Sequence, residues 1–209
     1  MQPTVFLLSP ARCGSVRALQ LTAASTGSAI GKQLQSSEGA PLGEVFAHLS
    51  SLYFRGKLLY ARQFAHRPDG GPGVFVITPG KGLCQESERI TAEDLLGYAS
   101  VEVHHENEAF TGPLLRDAQQ LAAAAGAGTR VVLLGSIASS KYLSTLQIVF
   151  GPRLLFPADF VGRGDMSRGG LLLRGARERR ELVYAPVMAT VLRGPRPPRL
   201  PPVKRKAAS

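Results

Sequence analysis

Short apolar runs, each closed by turn-forming residues, divide the chain into predicted strands. The clearest run, at 130–134, is Arg-Val-Val-Leu-Leu and ends at Gly135-Ser136. Runs of this length between turn residues are typical of strands buried on both faces of a sheet. The same pattern predicts five strands in all, at residues 4–8, 73–78, 130–134, 153–156 and 181–187.

Between the predicted strands, apolar residues recur at the spacing of amphipathic helices. Residues 42–65 have apolar positions three and four apart, which predicts a helix facing a core, and Gly56 is expected to break it into two pieces. Thr91 followed by Glu93 and Asp94 is typical of a helix N-cap. Further helices are predicted at residues 92–98, 112–125, 139–149 and 166–178.

Strands and helices alternate along the chain, which favours an α/β fold. We predict a three-layer α/β/α sandwich with a mainly parallel sheet of four or five strands. The length of 209 residues fits one such domain, over 1–191. Residues 192–209 are proline-rich and basic, and we expect them to form an extended tail that is mobile at its end.

Composition and charge narrow the classes of protein. With 44% hydrophobic and 19% charged residues, the chain is too apolar to be disordered as a whole. It has no run of about 20 apolar residues and no signal-peptide pattern at Met1, so we predict a cytoplasmic protein without a membrane partner. The net charge is +10, but six of the 25 basic residues lie between 193 and 209, so charge alone does not establish a nucleic-acid partner.

Glycine-rich loops with hydroxyl and basic residues follow the predicted strands. The first loop, 9–15, opens at the carboxyl end of a strand, where ligands bind in open α/β sheets, and it offers Ser9 and Arg12. Glycines in such loops let backbone N–H groups approach an anion, although tight strand-to-helix turns need the same residues. Loops 79–82, 135–142 and 162–170 add the candidates Lys81, Ser136, Lys141, Tyr142, Arg163 and Arg168, which we expect to converge on one hollow.

Other known site patterns fit the sequence poorly. The loop from Gly135 lacks the second glycine of a phosphate-binding P-loop, and Gly162-Arg163-Gly164 lacks the dinucleotide-binding context. His104 and His105 lie among glutamates, but adjacent histidines on an extended segment point to opposite sides, so we predict a solvated loop and no metal. No cofactor is predicted.

The cysteines and one basic helix segment leave alternatives open. Cys13 and Cys84 are expected to be reduced and partly buried, and Arg12 is expected to lower the pKa of the Cys13 thiol. Arg55 and Lys57 flank Gly56 among aromatic residues whose spacing suits a core or base stacking. These two cations are expected to face solvent or a polyanion.

Several segments together resemble a loose group of bacterial and archaeal domains of unknown function. The matching motifs include Leu-Leu-Ser-Pro at 7–10, Leu-Tyr-Phe-Arg-Gly-Lys at 52–57 and Ile-Thr-Pro-Gly-Lys-Gly at 77–82, followed by segments at 135–146 and 155–169. That group resembles the uracil-DNA glycosylase fold and includes the domain of archaeosine synthases and, more distantly, the peroxide-stress protein YaaA. The resemblance implies this fold over residues 4–187, and a nucleobase or nucleic-acid pocket lined by Ser9, Arg55, Lys57, Lys81, Ser136, Lys141, Tyr142, Arg163 and Arg168.

The resemblance also has a limit that bears on chemistry. Uracil-DNA glycosylases carry a water-activating Asp or Asn after the first strand, where this chain has Ser9-Pro10-Ala11-Arg12, and their His-Pro-Ser segment has no counterpart. We therefore predict a protein that binds nucleic acid (DNA or RNA) or a nucleobase-like small molecule. One alternative is an enzyme of nucleobase modification or base transfer on tRNA or DNA, with Asp165 or Glu178 as acid or base. Another is a partner-binding module that uses the tail.

Overall fold

The computed structural model describes residues 2–23, 27–50, 52–67, 69–137, 140–189, 194–198 and 200. These residues form the strands β1 Thr4–Leu8, β2 Ala40–Pro41, β3 Val74–Thr78, β4 Gly82–Gln85, β5 Arg89–Ile90, β6 Arg130–Leu134, β7 Leu154–Pro157 and β8 Tyr184–Pro186. Their helices are α1 Val16–Thr22, α2 Ala29–Gln35, α3 Leu42–Ser50, α4 Leu52–Phe64, α5 Ala92–Ser100, α6 Glu108–Ala125, α7 Leu143–Phe150 and α8 Asp165–Glu178.

The main sheet has the strand order β4-β3-β1-β6-β7-β8. The four inner strands are parallel, as predicted, and β4 and β8 are antiparallel edge strands. The main sheet has six strands instead of the predicted four or five. The additional strand is the hairpin strand β4, whose four residues are too few and too varied in polarity to show an apolar run. β1 lies in the middle with every residue buried, because it pairs with β3 on one side and β6 on the other.

The connections place helices on both faces of the sheet. The chain passes from β1 to its neighbour β3 in one direction and then returns past β1 to β6 in the other. Because such crossovers are right-handed, α4 and α6 cover opposite faces, while α5 packs against α1 and α3, with the rings of Phe46 and Tyr98 6.4 Å apart. A ligand crevice is expected where neighbouring parallel strands send their connections to opposite faces, and here that point lies between the ends of β1 and β6.

One helix prediction needs correction, and one predicted helix cap is confirmed. The helix pattern at 42–65 divides after Ser50, and α4 continues through Gly56. The glycine serves close packing instead, because a Cβ at position 56 would lie 2.8 Å from the carbonyl oxygen of Gly169 in α8. The predicted cap is confirmed, since Thr91 and Asp94 form a capping box at the start of α5.

The beginning of the proline-rich tail lies against the domain. Arg163 Nη1 donates to the carbonyl oxygen of Pro198 at 3.2 Å, and Leu200 approaches Gly170 of α8. Residues 190–193, 199 and 201–209, which include most of the predicted basic arm, fall outside the described residues. In the part that is described, every helix is too short or too polar to cross a bilayer.

Candidate functional site

A cleft of about 780 Å³ opens at the carboxyl ends of β1 and β6, where the topology predicts a ligand site. Cavities of about 300–1,000 Å³ are typical of small-molecule sites. The loops after β1 and β6 form two of its sides, and α4 and α8 contribute the others. Its lining residues are Ser9, Pro10, Ala11, Arg12, Ser50, Tyr53, Lys57, Val103, Ser136, Lys141, Tyr142 and Asp165.

Lys57 lies beneath the cleft and is almost completely buried, with 1% of its surface exposed. Its Nζ donates to the carbonyl oxygen of Ser9 at 2.6 Å and to Ser9 Oγ at 3.0 Å. The same nitrogen lies 4.7 Å from the ring centre of Tyr53 and 4.6 Å from that of Phe54. The prediction that Lys57 faces solvent or a polyanion is therefore wrong. Hydroxyl, carbonyl and aromatic groups surround its amine in place of solvent water.

The loops after β1 and β6 approach each other closely because residue 135 has no side chain. A Cβ at Gly135 would lie 2.7 Å from the Tyr142 hydroxyl and 3.0 Å from Ser9 Oγ. The Ser9 amide donates to the carbonyl oxygen of Leu134 at 3.1 Å, which continues the pairing of β1 with β6. The buried Tyr142 hydroxyl donates to the carbonyl oxygen of Ser136 at 2.9 Å and so holds the second loop.

The crossing of α4 with α8 brings Asp165 to the cleft. At this crossing Gly56 faces Gly169, and a Cβ at position 169 would lie 2.9 Å from the Cα of Tyr53. Two glycines without side chains let the helix backbones approach closely. As a result Asp165, the first residue of α8, lies at the cleft near Lys57, whose positive charge it stabilises.

Burial controls the protonation of the cleft groups. It lowers the pKa of Lys57 to about 7, against an opposing effect of the Asp165 charge. It raises the pKa of Tyr142 to about 12 and raises that of Tyr53 as well, although the Arg168 charge opposes the Tyr53 shift. The Tyr53 hydroxyl is buried and has no hydrogen-bond partner among the described residues. A buried polar group of this kind is uncommon in folded proteins.

Six of the predicted site residues besides Asp165 lie around this cleft. Arg12 and Lys141 are its exposed cations, one after β1 and one before α7. Ser9, Lys57, Ser136 and Tyr142 contribute hydroxyl and amine groups. The cleft therefore combines two exposed positive charges, one carboxylate and several hydroxyl groups.

The other predicted cations lie outside the cleft. Lys81 lies in the β3–β4 turn, where its Nζ is 3.0 Å from Glu88 Oε1 and 3.9 Å from Asp94 Oδ1. The exposed Arg55 does not line the cleft, and Arg163 binds the carbonyl oxygens of Asp159 and Pro198. The buried Arg168 donates to the Phe160 carbonyl oxygen and supports the start of α8. The expected convergence of Lys81, Lys141 and Arg163 is thus corrected, since only Lys141 reaches the cleft.

Glu178, proposed together with Asp165 as an acid or base, is also outside the cleft. It is the last residue of α8 and pairs with Arg180 at 3.5 Å. At 1.5 Å of rise per residue, it lies about 20 Å along the helix from Asp165. Asp165 is therefore the carboxylate of the two that a ligand in the cleft can meet.

The histidine pair and Cys13 also differ from the sequence-based expectation. The chain turns at residues 105–106, so the rings of His104 and His105 lie together, with centres 4.4 Å apart. With Glu106 they place possible metal-ligand atoms within 4.8 Å of one another, and His105 Nδ1 is 3.3 Å from Ser140 Oγ, beside the cleft. Cys13 and Cys84 are free and buried, and burial raises the pKa of Cys13 to about 12, opposite to the expected effect of Arg12.

Sequence reasoning missed some of the cleft lining. Tyr53 is one of the aromatic residues around Gly56 whose spacing suits a core or base stacking, and Ser50 and Val103 were not singled out. The available signal was the spacing of Tyr53 and Lys57, four residues apart on one face of a helix. No protein-family model, curated protein or solved structure matches this chain.

Proposed function

We propose that the cleft binds an anionic ligand that carries a nucleobase, either a free nucleotide or a unit of a nucleic-acid strand. The observation that carries this proposal is the pair of exposed cations, Arg12 and Lys141, at a cavity of about 780 Å³ on the strand-end crevice. Exposed cations suit phosphate, and a cavity of this volume can hold a base. The proposed relationship to the uracil-DNA-glycosylase-like group implies a pocket at the same strand ends.

The interior of the cleft supports a base more than a second phosphate. Tyr53 and Tyr142 are among its lining residues, and aromatic side chains stack favourably on bases. The exposed Asp165 carboxylate, which lies 3.5 Å from Arg168 Nη1, can accept a hydrogen bond from an exocyclic amine.

The test is the binding of labelled single-stranded DNA, single-stranded RNA and mononucleotides at two salt concentrations, measured by fluorescence anisotropy. We expect the double substitution Arg12→Ala with Lys141→Ala to weaken binding about tenfold at low salt and to flatten the salt dependence, because each lost phosphate contact lowers the salt slope by about one. The matched control is Arg55→Ala, which removes an exposed arginine outside the cleft. Equal losses in both variants, or no binding at low salt, would refute the proposal.

A second candidate function is nucleobase modification with Asp165 as acid or base, favoured by the place of Asp165 in the cleft beside Lys57. Replacing Asp165 by Asn keeps the size of the side chain and removes its basicity. We expect this variant to bind the ligand and to lose turnover in an assay of base exchange or base release. Turnover equal to that of the unaltered protein would exclude this role of Asp165.

A further inference from the structure

One hydroxyl group of the cleft is paired with an amine. Ser9 lines the cleft, and behind it Lys57 Nζ lies 3.0 Å from Ser9 Oγ. The only other hydrogen bond of this nitrogen within the described residues goes to the Ser9 carbonyl oxygen. A ligand can therefore meet the serine oxygen while the lysine remains shielded from solvent, at 1% exposure.

Few charged groups face the lysine from the elements packed around it. Among the described residues, Asp165 at the start of α8 acts on the charge of Lys57 and lies 3.5 Å from Arg168 Nη1. Arg168 in turn acts on Tyr53, in the same helix as Lys57, and on Tyr142 from the segment after β6. Burial is the dominant effect on its protonation and brings the pKa of Lys57 to about 7. A neutral amine is a hydrogen-bond acceptor and a base, so near neutral pH the pair can reverse its hydrogen bond, with Ser9 donating to Nζ.

We propose that Ser9 is a nucleophile and Lys57 its general base, and that the pair catalyses acyl transfer from carboxylic esters that carry a negative charge. Serine and lysine form such pairs in unrelated folds, because a buried amine can take the place of histidine. The proposal goes beyond ligand binding and relies on the proposed function only for the anionic group, which Arg12 and Lys141 would hold.

The reaction proceeds in two balanced halves. Ser9 Oγ attacks the ester carbonyl carbon while its proton passes to Lys57 Nζ, and the carbonyl π electrons move to oxygen. When the tetrahedral intermediate collapses, the C–O bond to the alcohol breaks and the alcohol oxygen takes the proton from Nζ, which leaves an acyl-serine. Water then attacks this ester, gives a proton to Nζ and releases the carboxylic acid, and the proton returns to Ser9 Oγ.

The charges around the pair favour an ester over a phosphoryl group as the reacting centre. Phosphoryl transfer needs cations close to the transferred group. Here Arg12 and Lys141 are the exposed cations, and the negative charge of Asp165 acts on Lys57. A neutral carbonyl meets no repulsion from that carboxylate, so the negative charge of the substrate belongs on its distal part.

The first test is covalent labelling with an alkyl fluorophosphonate, in which Ser9 Oγ displaces fluoride from phosphorus. We expect the label on the peptide that contains Ser9, loss of labelling in Ser9→Ala, and unchanged labelling in Ser144→Ala, which removes an exposed serine from α7. Labelling of the unaltered protein should increase with pH around a midpoint near 7. Absence of label on Ser9 between pH 6 and 9, or a rate that does not change over that range, would overturn the proposal.

The second test separates the base from the anion site. Lys57→Met keeps the length of the side chain, and we expect labelling at least about 100-fold slower, because general-base catalysis contributes about 10²–10⁴. The unaltered protein should hydrolyse 4-acetoxybenzoate faster than its uncharged methyl ester, and the Arg12→Ala, Lys141→Ala variant should lose that preference. Labelling without nucleotide binding would overturn only the proposed function, and nucleotide binding without labelling would overturn only the nucleophile.

Discussion

Lys57 in the cleft and Lys81 in the β3–β4 turn are two lysines that the sequence assigns to one anion site, and the structure separates them. The buried amine of Lys57 contacts hydroxyl, carbonyl and aromatic groups, and burial lowers its pKa to about 7. Lys81 is half exposed between Glu88 and Asp94, and the hydrogen bond with Glu88 raises its pKa. The first lysine is thus adapted to lose its proton and the second to keep it.

The connection that follows each strand explains the difference. β1 and β6 continue into crossovers on opposite faces, so their following loops open a crevice between them. β3 continues into the hairpin strand β4, and Gly80 and Gly82 take positive φ angles in the tight turn between them. The glycines around Lys81 therefore make a hairpin, whereas Gly135 after β6 allows Ser9 and Tyr142 to meet.

We expect the largest effect on stability at the crossing of α4 with α8, which positions cleft residues. The hairpin around Lys81 has no such crossing. Replacing Gly169 by Val puts a branched side chain where even a Cβ would lie 2.9 Å from the Cα of Tyr53. We expect a loss of about 3 kcal/mol in the free energy of unfolding, the upper part of the usual range for overpacking. Urea denaturation measures it, and nucleotide binding should be lost as Tyr53 and Asp165 move apart.

The control for this crossing is a helical glycine in open space. A Cβ at Gly97 in α5 has no neighbour within 4 Å, so Gly97→Val should leave stability unchanged or raise it by a few tenths of a kcal/mol. If Gly169→Val were as stable as Gly97→Val, the close packing of α4 on α8 would not hold the cleft together.

The next largest effect distinguishes the two lysines by pH. Because Lys57 has a folded pKa near 7 and an ordinary value of 10.5, the folded protein binds fewer protons than the unfolded chain between these values. The free energy of unfolding therefore rises with pH in this window, by at most about 1.4 kcal/mol per unit and about 2 kcal/mol from pH 7 to 9. The two buried cysteines, whose pKa values are raised from an ordinary 9.0, oppose this rise as the pH approaches 9, and the tyrosines with raised pKa values oppose it at higher pH.

Two variants test this assignment by urea denaturation at pH 7, 8 and 9. Lys57→Met should flatten the dependence, whereas Lys81→Met should keep it, because the raised pKa of Lys81 leaves that residue charged across the window. A slope that survives Lys57→Met would show that another group titrates, and the buried amine would then be charged at neutral pH.

The sequence predicted the parallel centre of the fold because buried strands leave an uninterrupted apolar run. β1 and β6 were found in this way to the residue, and their following loops supplied Ser9, Ser136 and Tyr142 to the cleft. The general place of the site followed from the rule that ligands bind at the carboxyl ends of parallel strands.

The rest depended on contacts between residues distant in sequence. From the sequence alone, Gly56 is interpreted as a helix breaker, because its close packing against Gly169 is not visible there. Lys57 is likewise interpreted as a surface cation, because its hydrogen bonds to Ser9 form only in the fold. The carboxylates that hold Lys81 are brought to it by the hairpin and by α5. Local patterns report neither the partner of a charge nor whether a glycine serves a turn or a close approach.

The smallest expected effect completes the comparison at the hairpin. Lys81→Ala removes an ion pair whose side chains are 47% and 36% exposed, and such pairs contribute about 0–1 kcal/mol. We expect stability at neutral pH to change by less than about 0.5 kcal/mol and nucleotide affinity to stay within twofold, since Lys81 does not line the cleft. Urea denaturation and fluorescence anisotropy measure both quantities, with Lys141→Ala as the matched loss of an exposed lysine inside the cleft. A loss of affinity in Lys81→Ala as large as that in Lys141→Ala would mean that the ligand extends across both regions. A phosphate of the ligand would then replace Glu88 and Asp94 as the partner of Lys81.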